Sequence, residues 1–478
     1  MSQETVIILG AGPAGLAAAY KILKNSKKKV IVIDKAKVPG GSGASFQWKN
    51  HVLDYGPHAF HTRGDEPELL IRDLFKDSPD HLTNGIKKVS IYLKRKIFKY
   101  PLQVKQALLK FNPLLSLRIM IEFALTSIFH GIVSIPIESF ENWGEKRFGS
   151  TLYKISFGDY TEKVWKTHPN KISTKFASEK IQGFSFINLI QKLLRIGGQV
   201  TEPYYQTWIY HRKGSGQLYI KMAEEIKKLG GEILLETNIK FIEMKDHRFA
   251  SIAFEKDNAA KSLPIDFLIN SIQIPAFVNL IKGNLPYSVQ FSSKKLRYIS
   301  LILVYLEFET DKISDNHWFY LLENNFASNR VTEQKNLSPE TIESGKTVLS
   351  FEVTCHLGDE TWQKSDKELI DLVIKDCEGI NFLQDKIPKI SDTLVKRVPN
   401  VYEIYYKQFD SHANLLFSYL NEFENFVTVG RRGLFLQGDM HQAVEMGLNI
   451  ASIASKDSID KKEIEGFYKK YLKYIDIF

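Results

Sequence analysis

The sequence predicts an α/β fold, and three observations carry that prediction. A β-branched apolar run, Val6-Ile7-Ile8-Leu9, enters Gly10-Ala11-Gly12-Pro13-Ala14-Gly15 and then a helical period to about Asn25. A second apolar run, Val30-Ile31-Val32-Ile33, ends on an acid, Asp34. The alternation of helix and short buried strand returns at residues 214–236 and again from Phe426 to Ala451.

In the first unit each glycine has a task. Gly10 makes the tight turn, Gly12 admits a pyrophosphate to the backbone, and Gly15 lets the helix sit close on the sheet. The helix N-terminus offers its N–H groups to the phosphates, and Asp34 is placed to bind a ribose hydroxyl. Strand, glycines, helix, strand and acid in this register predict a Rossmann-type dinucleotide site.

A chain of 478 residues has room for about two or three domains. With 44% hydrophobic and 25% charged residues it reads as an ordinary globular protein. Its two cysteines, Cys355 and Cys377, stand in unrelated contexts, which points to neither a disulfide framework nor a metal site and fits a reducing cytoplasm. The first strand starts so soon after Met1 that no signal peptide is expected ahead of it. Residues 113–137 are apolar but interrupted by Arg118, Glu122 and His130, so they read as a buried or surface-lying helix rather than a membrane span. The formal charge of +9 reads as lysines scattered over a solvated surface, with no arginine-rich tract for nucleic acid and peripheral contact with an anionic membrane as the lesser alternative.

Further along, Pro39-Gly40-Gly41-Ser42-Gly43 is either a bare turn or a second approach to a cofactor, and its spacing from Asp34 favours the cofactor. Phe46 to Asp54 reads as one strand delivering Tyr55-Gly56-Pro57-His58-Ala59-Phe60-His61-Thr62. Residues 89–102 read as a hairpin with a basic tip. Residues 104–149 read as helices broken at Pro113, with Asn112 as N-cap. Packing alone accounts for most of the aromatics from Phe140 to Trp165. Asp266 to Ser271 is a further buried strand, and Leu301 to Leu306 opens a more antiparallel region. Near the end, Phe426 to Val429 feeds Gly430-Arg431-Arg432-Gly433, and Asp439-Met440-His441-Gln442 starts a helix.

Gly10 to Gly15, Asp34 with Gly40-Gly41, Gly56 to Thr62, Tyr160-Thr161-Glu162-Lys163-Val164-Trp165, Asn329-Arg330-Val331-Thr332-Glu333, and Gly430-Arg431 through Asp439-Met440-His441-Gln442 resemble the FAD-dependent group that joins UDP-galactopyranose mutase to protoporphyrinogen oxidase and amine oxidase-like flavoproteins. The resemblance implies an FAD domain assembled from residues 1–62, 208–275 and 420–478, with an α+β substrate domain at 63–207 and 276–419. It implies FAD held by Gly10, Gly12, Gly15, Asp34, Gly41, Gly430, Arg431 and Asp439, with Met440 near the ring. With no flavin-linking cysteine evident, the attachment is expected to be noncovalent. By the same resemblance His58 and His61 line the flavin, as acid–base groups or as hydrogen-bonding partners, Arg330 faces an anionic part of the substrate, and Trp165, Tyr402 and Gln437 touch substrate. The bland alternative for Arg330 is a surface ion pair with Glu333 or a neighbour.

The resemblance leads first to a flavoenzyme acting on a sugar nucleotide or other glycan precursor. The alternatives are an FAD oxidase or desaturase that needs an electron acceptor, and a prenyl-protein binding module like the GDP-dissociation inhibitors. Two departures weaken the diphosphate-sugar reading: Gln437 replaces the tyrosine that mutases carry two positions before the counterpart of Asp439, and Asn400-Val401-Tyr402 lacks their proline.

Overall fold

The computed structural model describes residues 3–102, 104–132, 136–180, 207–380 and 387–473, and the chain divides into two compact units. The first comprises Met1–Gly85, Thr207–Arg297 and Phe409–Phe478; the second comprises Ile86–Gln206 and Tyr298–Gln408.

In the first unit five parallel strands lie in the order Glu232–Leu234, Lys29–Ile33, Thr5–Leu9, Phe267–Asn270 and Phe426–Thr428. The three inner strands are buried from Val6 to Leu9, Val30 to Ile33 and Phe267 to Asn270, which is why they read as continuous apolar runs rather than alternating ones. Helices Pro13–Asn25 and Met440–Ala454 pack closely, and a Cβ on Gly447 would lie 2.2 Å from the Ala14 carbonyl oxygen.

Two local expectations change. Phe46 to Asp54 is a hairpin, Ser45–Trp48 against His51–Asp54, because the chain turns at Lys49 with φ of +51°. An antiparallel meander over Asn238–Lys245, Arg248–Lys256 and Ala259–Pro264 was not expected from the sequence. Its tips, Asp246-His247 and Asp257-Asn258, put two successive residues at positive φ, the hairpin geometry that Asp and Asn tolerate.

The second unit is built on a seven-stranded sheet ordered Ile390–Glu403, Tyr298–Phe308, Thr347–Cys355, Arg330–Glu333, Trp318–Leu321, Val89–Leu93 and Lys96–Lys99. All its pairings are antiparallel except Trp318–Leu321 with Val89–Leu93. Its core joins Ile302, Val304, Phe351 and Val353 to Leu369 and Val373 of the helix Asp366–Gly379. Cys355 and Cys377 are buried free thiols that burial pushes up to about 12.

The units divide at other points than residues 62/63, 275/276 and 419/420. Helix Glu66–Leu74 is tied to the first unit by the Lys21–Glu66 bridge of 2.7 Å. Phe277 stacks on Phe426 at 4.8 Å, and the helix Phe409–Leu420 meets Phe435 through Phe409. Residues 181–206 of the expected substrate domain lie outside the described residues.

Candidate functional site

The first unit brings the glycine segments together around the N-termini of two helices. Gly10 has φ of +100°, and a Cβ on Gly15 would lie 2.0 Å from the Gly10 carbonyl oxygen, so the turn and the helix leave no room for a side chain there. Gly12 differs. Its φ of −83° suits any residue, and a Cβ on it would meet only Gly41 Cα, at 4.0 Å. No protein contact therefore demands glycine at 12, and its backbone is left open to close approach by a ligand. Helix Pro13–Asn25 has no acid in its first turn and no side-chain cap, so its N-terminus remains receptive to an anion. These features fit a dinucleotide pyrophosphate.

Asp34 accepts N–H bonds from Ala11 at 2.7 Å and Ala36 at 2.8 Å. It thus braces the glycine turn itself, and a carboxylate oxygen has a second lone pair for a ribose hydroxyl. Gly41 opens the short turn Gly41–Gly43, and its Cβ would stand 3.2 Å from Gly12 Cα. Gly430, at φ of +79°, faces Ala14, while the Arg431 carbonyl accepts from the Leu436 N–H at 2.8 Å. Arg432, which sequence reasoning passed over, reaches Ser42 Oγ at 3.0 Å and so links the last segment to the second glycine turn.

Asp439 and Met440 begin the helix Met440–Ala454, where the Asp439 N–H donates to Gln442 Oε1 at 2.8 Å. Tyr219 donates to Met440 Sδ at 3.0 Å. Gln437 is buried just ahead of this helix. His61 lies in the strand pair Phe60–His61 with Thr207–His211, and its ring meets that of His441 edge-on at 6.0 Å. His58 precedes it, half-buried. Burial pulls His441 down to about 4, so a neutral imidazole stands at this helix start. Asp54, whose oxygens accept from Ser45 and Tyr210, is pushed up to about 6 by burial.

The second unit gathers Arg330, Tyr402 and Trp165. Arg330 forms a bidentate pair with Glu352, Nε at 2.7 Å and Nη2 at 2.8 Å, and its Nη2 also reaches Tyr402 Oη at 3.4 Å. Trp165 meets the Tyr402 ring edge-on at 6.0 Å. The partner is therefore Glu352, one strand over, rather than Glu333, which instead accepts from Ile313, Ser314 and Thr347. The pair is no surface bridge, since the side chains are 19% and 1% exposed. Desolvation alone would lower the pKa of Arg330, but Glu352 outweighs it and the guanidinium stays charged.

Tyr160, Tyr320, Glu352 and Lys163 complete this cluster and were not singled out from the sequence as site residues. Tyr160 follows a π-helical turn, Lys154–Gly158, a distortion that often marks functional positions. Its ring meets Tyr320 edge-on at 6.1 Å, and burial pushes its hydroxyl pKa up. Lys163 donates to the carbonyls of Leu321 and Glu323 at 2.9 and 2.8 Å, with burial pulling its amine down to about 7. The sequence signals for Tyr160 and Lys163 are the aromatic-rich run ending at Trp165 and the place of both residues in the segment Tyr160 to Trp165 that carries part of the resemblance. Among the described residues no group of three His, Cys, Asp or Glu side chains is arranged to hold a metal.

Residues 8–77 match the NAD(P)-binding Rossmann-like domain family. Over 73 residues the chain is 41% identical to a neurosporene-forming phytoene desaturase of Cereibacter sphaeroides, a match spanning 15% of this chain and 13% of that relative. Three solved structures are similar over nearly the whole chain. A reduced UDP-galactopyranose mutase shares 17% identity at a TM-score of 0.79, covering 98% of both chains. A protein described as a protoporphyrinogen oxidase from an Exiguobacterium species shares 16% at 0.71, covering 95% of this chain and 99% of its own. A putrescine oxidase variant shares 14% at 0.65, covering 94% and 98%. With its dinucleotide-binding segment at the N-terminus, this chain has the fold common to the mutase, the protoporphyrinogen oxidase-like protein and the amine oxidase.

Proposed function

We propose that the chain is an FAD-dependent enzyme performing two-electron redox chemistry on a small organic substrate, with the cofactor held noncovalently by the first unit. Gly10, Gly12, Gly15 and Gly41 would admit the pyrophosphate, Asp34 the adenosine ribose, and the segment Gly430, Arg431, Asp439 and Met440 the remainder of the cofactor. FAD supplies hydride transfer at its ring when bound. The chain's own part is to orient the substrate and exclude water. His58, His61 and the neutral His441 are the groups of the first unit suited to hold or pass a proton.

The observation favouring redox over diphosphate-sugar chemistry is the engagement of Arg330. Two of its donor nitrogens already grip Glu352, which neutralises the cation that a leaving diphosphate would need. Gln437, a neutral amide, does not replace that charge. The mutase-like reading stays second on the strength of Tyr402 standing beside Arg330, with Trp165 against its ring.

The test is anaerobic mixing of the yellow, oxidised protein with candidate substrates. Bleaching of flavin absorbance by an amine, porphyrinogen or isoprenoid substrate supports the redox reading. Conversion of a UDP-sugar by the reduced protein alone, with no net electrons consumed, replaces it with the mutase reading. A purified protein that is colourless and takes up no FAD removes both.

A further inference from the structure

Helix Pro113–Ile132 carries an apolar stripe on its outside. Leu114, Leu117, Ile121, Leu125 and Ile128 recur at the spacing of one helix face, and every one of them is exposed, Leu114 by 77% and Ile128 by 64%. Met120 and, on the preceding helix, Leu109 enlarge the patch. The helix is not loose. Ile119 is buried, Glu122 accepts both the N–H and the Oγ1 of Thr151 at 2.7 Å, and Ser116 Oγ donates to the Leu108 carbonyl at 2.7 Å. Glu122 and Ser116 thus face the protein while Leu114, Leu117, Ile121, Leu125 and Ile128 face outward, the reverse of an ordinary surface helix.

Charge says what covers this face. From residue 86 to residue 121 the sequence has nine Lys and Arg and no Asp or Glu, so this stretch alone equals the +9 formal charge of the whole chain. The net charge is therefore concentrated, not scattered as the composition implied. Lys94, Arg95, Lys96 and Lys99 are exposed on the hairpin Val89–Leu93 with Lys96–Lys99. That hairpin is tied to the short helix before the stripe: Lys96 Nζ donates to the Lys110 carbonyl, Lys110 Nζ to the Ile97 carbonyl at 2.7 Å, and the Lys99 N–H to Gln106 Oε1 at 2.9 Å.

We infer that this face docks on an anionic lipid bilayer, with the helix lying in the interface and the basic hairpin against the headgroups. No helix among the described residues is long and apolar enough to cross a membrane, so the contact is made by lying on it. A second copy of the chain would bring like charge against like charge across the patch, whereas an acidic lipid surface neutralises it.

Cosedimentation of the full chain with phosphatidylcholine vesicles, with and without phosphatidylglycerol, tests this. The expected result is pelleting with the phosphatidylglycerol vesicles that declines with added salt. Leu117→Glu with Ile121→Glu should weaken it about tenfold with an unchanged melting temperature, since both side chains are exposed. Arg95→Glu with Lys99→Glu, which leaves the stripe intact, should remove the salt-dependent part. Failure to pellet, or pelleting that neither double variant reduces, overturns the proposal. So does a dimer in light scattering that Leu117→Glu with Ile121→Glu dissolves in the absence of any vesicle binding.

Discussion

At Arg330 the question is whether an arginine builds the protein or serves a substrate. Glu352 is almost fully buried against it, and removing one member of such a pair leaves a charge stranded. Glu352→Gln is expected to destabilise the protein by about 3 kcal/mol in urea unfolding. Arg330→Met with Glu352→Leu should recover most of that stability, because the desolvation cost of both charges disappears. Arg330→Lys keeps the charge but loses the fork that grips Glu352, so stability should fall; a marked loss of turnover with cofactor fully bound would favour the mutase-like reading, and full activity in the stable double variant would show that Arg330 touches no substrate. Asp34 braces the glycine turn, and its proposed contact with the adenosine ribose is open to one substitution. Asp34→Ala strands the Ala11 and Ala36 N–H groups and removes a ribose acceptor, so FAD affinity should drop by roughly 1–3 kcal/mol. Undiminished FAD retention after dialysis would leave Asp34 with the bracing role alone.

At the level of the element, the first strand–turn–helix allows the folding and binding roles of its glycines to be told apart. Gly15→Ala drives a methyl to 2.0 Å from a backbone oxygen, and overpacking of this kind costs about 1–3 kcal/mol or more, read as a lower melting temperature. Gly12→Ala meets nothing closer than 4.0 Å, so the apoprotein should melt as the parent does while FAD binding is lost. An alanine at 12 that leaves binding intact would refute the pyrophosphate placement. The helix Pro113–Ile132 shows the opposite case. Its start is local chemistry, with Asn112 Oδ1 accepting the Leu114 N–H at 2.9 Å, but which of its apolar residues face outward depends on what packs beneath.

For the whole molecule, buried titratable groups set an acid limit to stability. His317 and His441 are both pulled down to about 4 by burial, against about 6.5 in the unfolded chain. The unfolded chain therefore binds more protons between those values, and each histidine contributes stability that is absent below about pH 4 and grows up to about pH 6.5, roughly 3 kcal/mol at most. Asp54 acts oppositely: its folded value of about 6 lies above the unfolded one, so its contribution is present at low pH and is lost as pH rises through 6. His317→Gln should flatten the rise between pH 4 and 6.5 in urea midpoints, since the ring then no longer has to stay neutral to accept the Lys88 N–H. A profile unchanged by this substitution would contradict the assignment. The sequence alone determined the dinucleotide turn, the parallel strands and the order of the helices around them, because period, glycine spacing and caps are local properties of neighbouring residues. It also named Arg330, Tyr402 and Trp165, which sit far apart in the chain and meet in one cluster. Only the tertiary structure decided that Glu352 holds Arg330, that Arg432 links the glycine segments, and that the leucines of residues 114–128 are exposed. Those depend on which side chains long-range strand pairing and helix packing bring within a few ångströms, and no pattern confined to one stretch of chain records that.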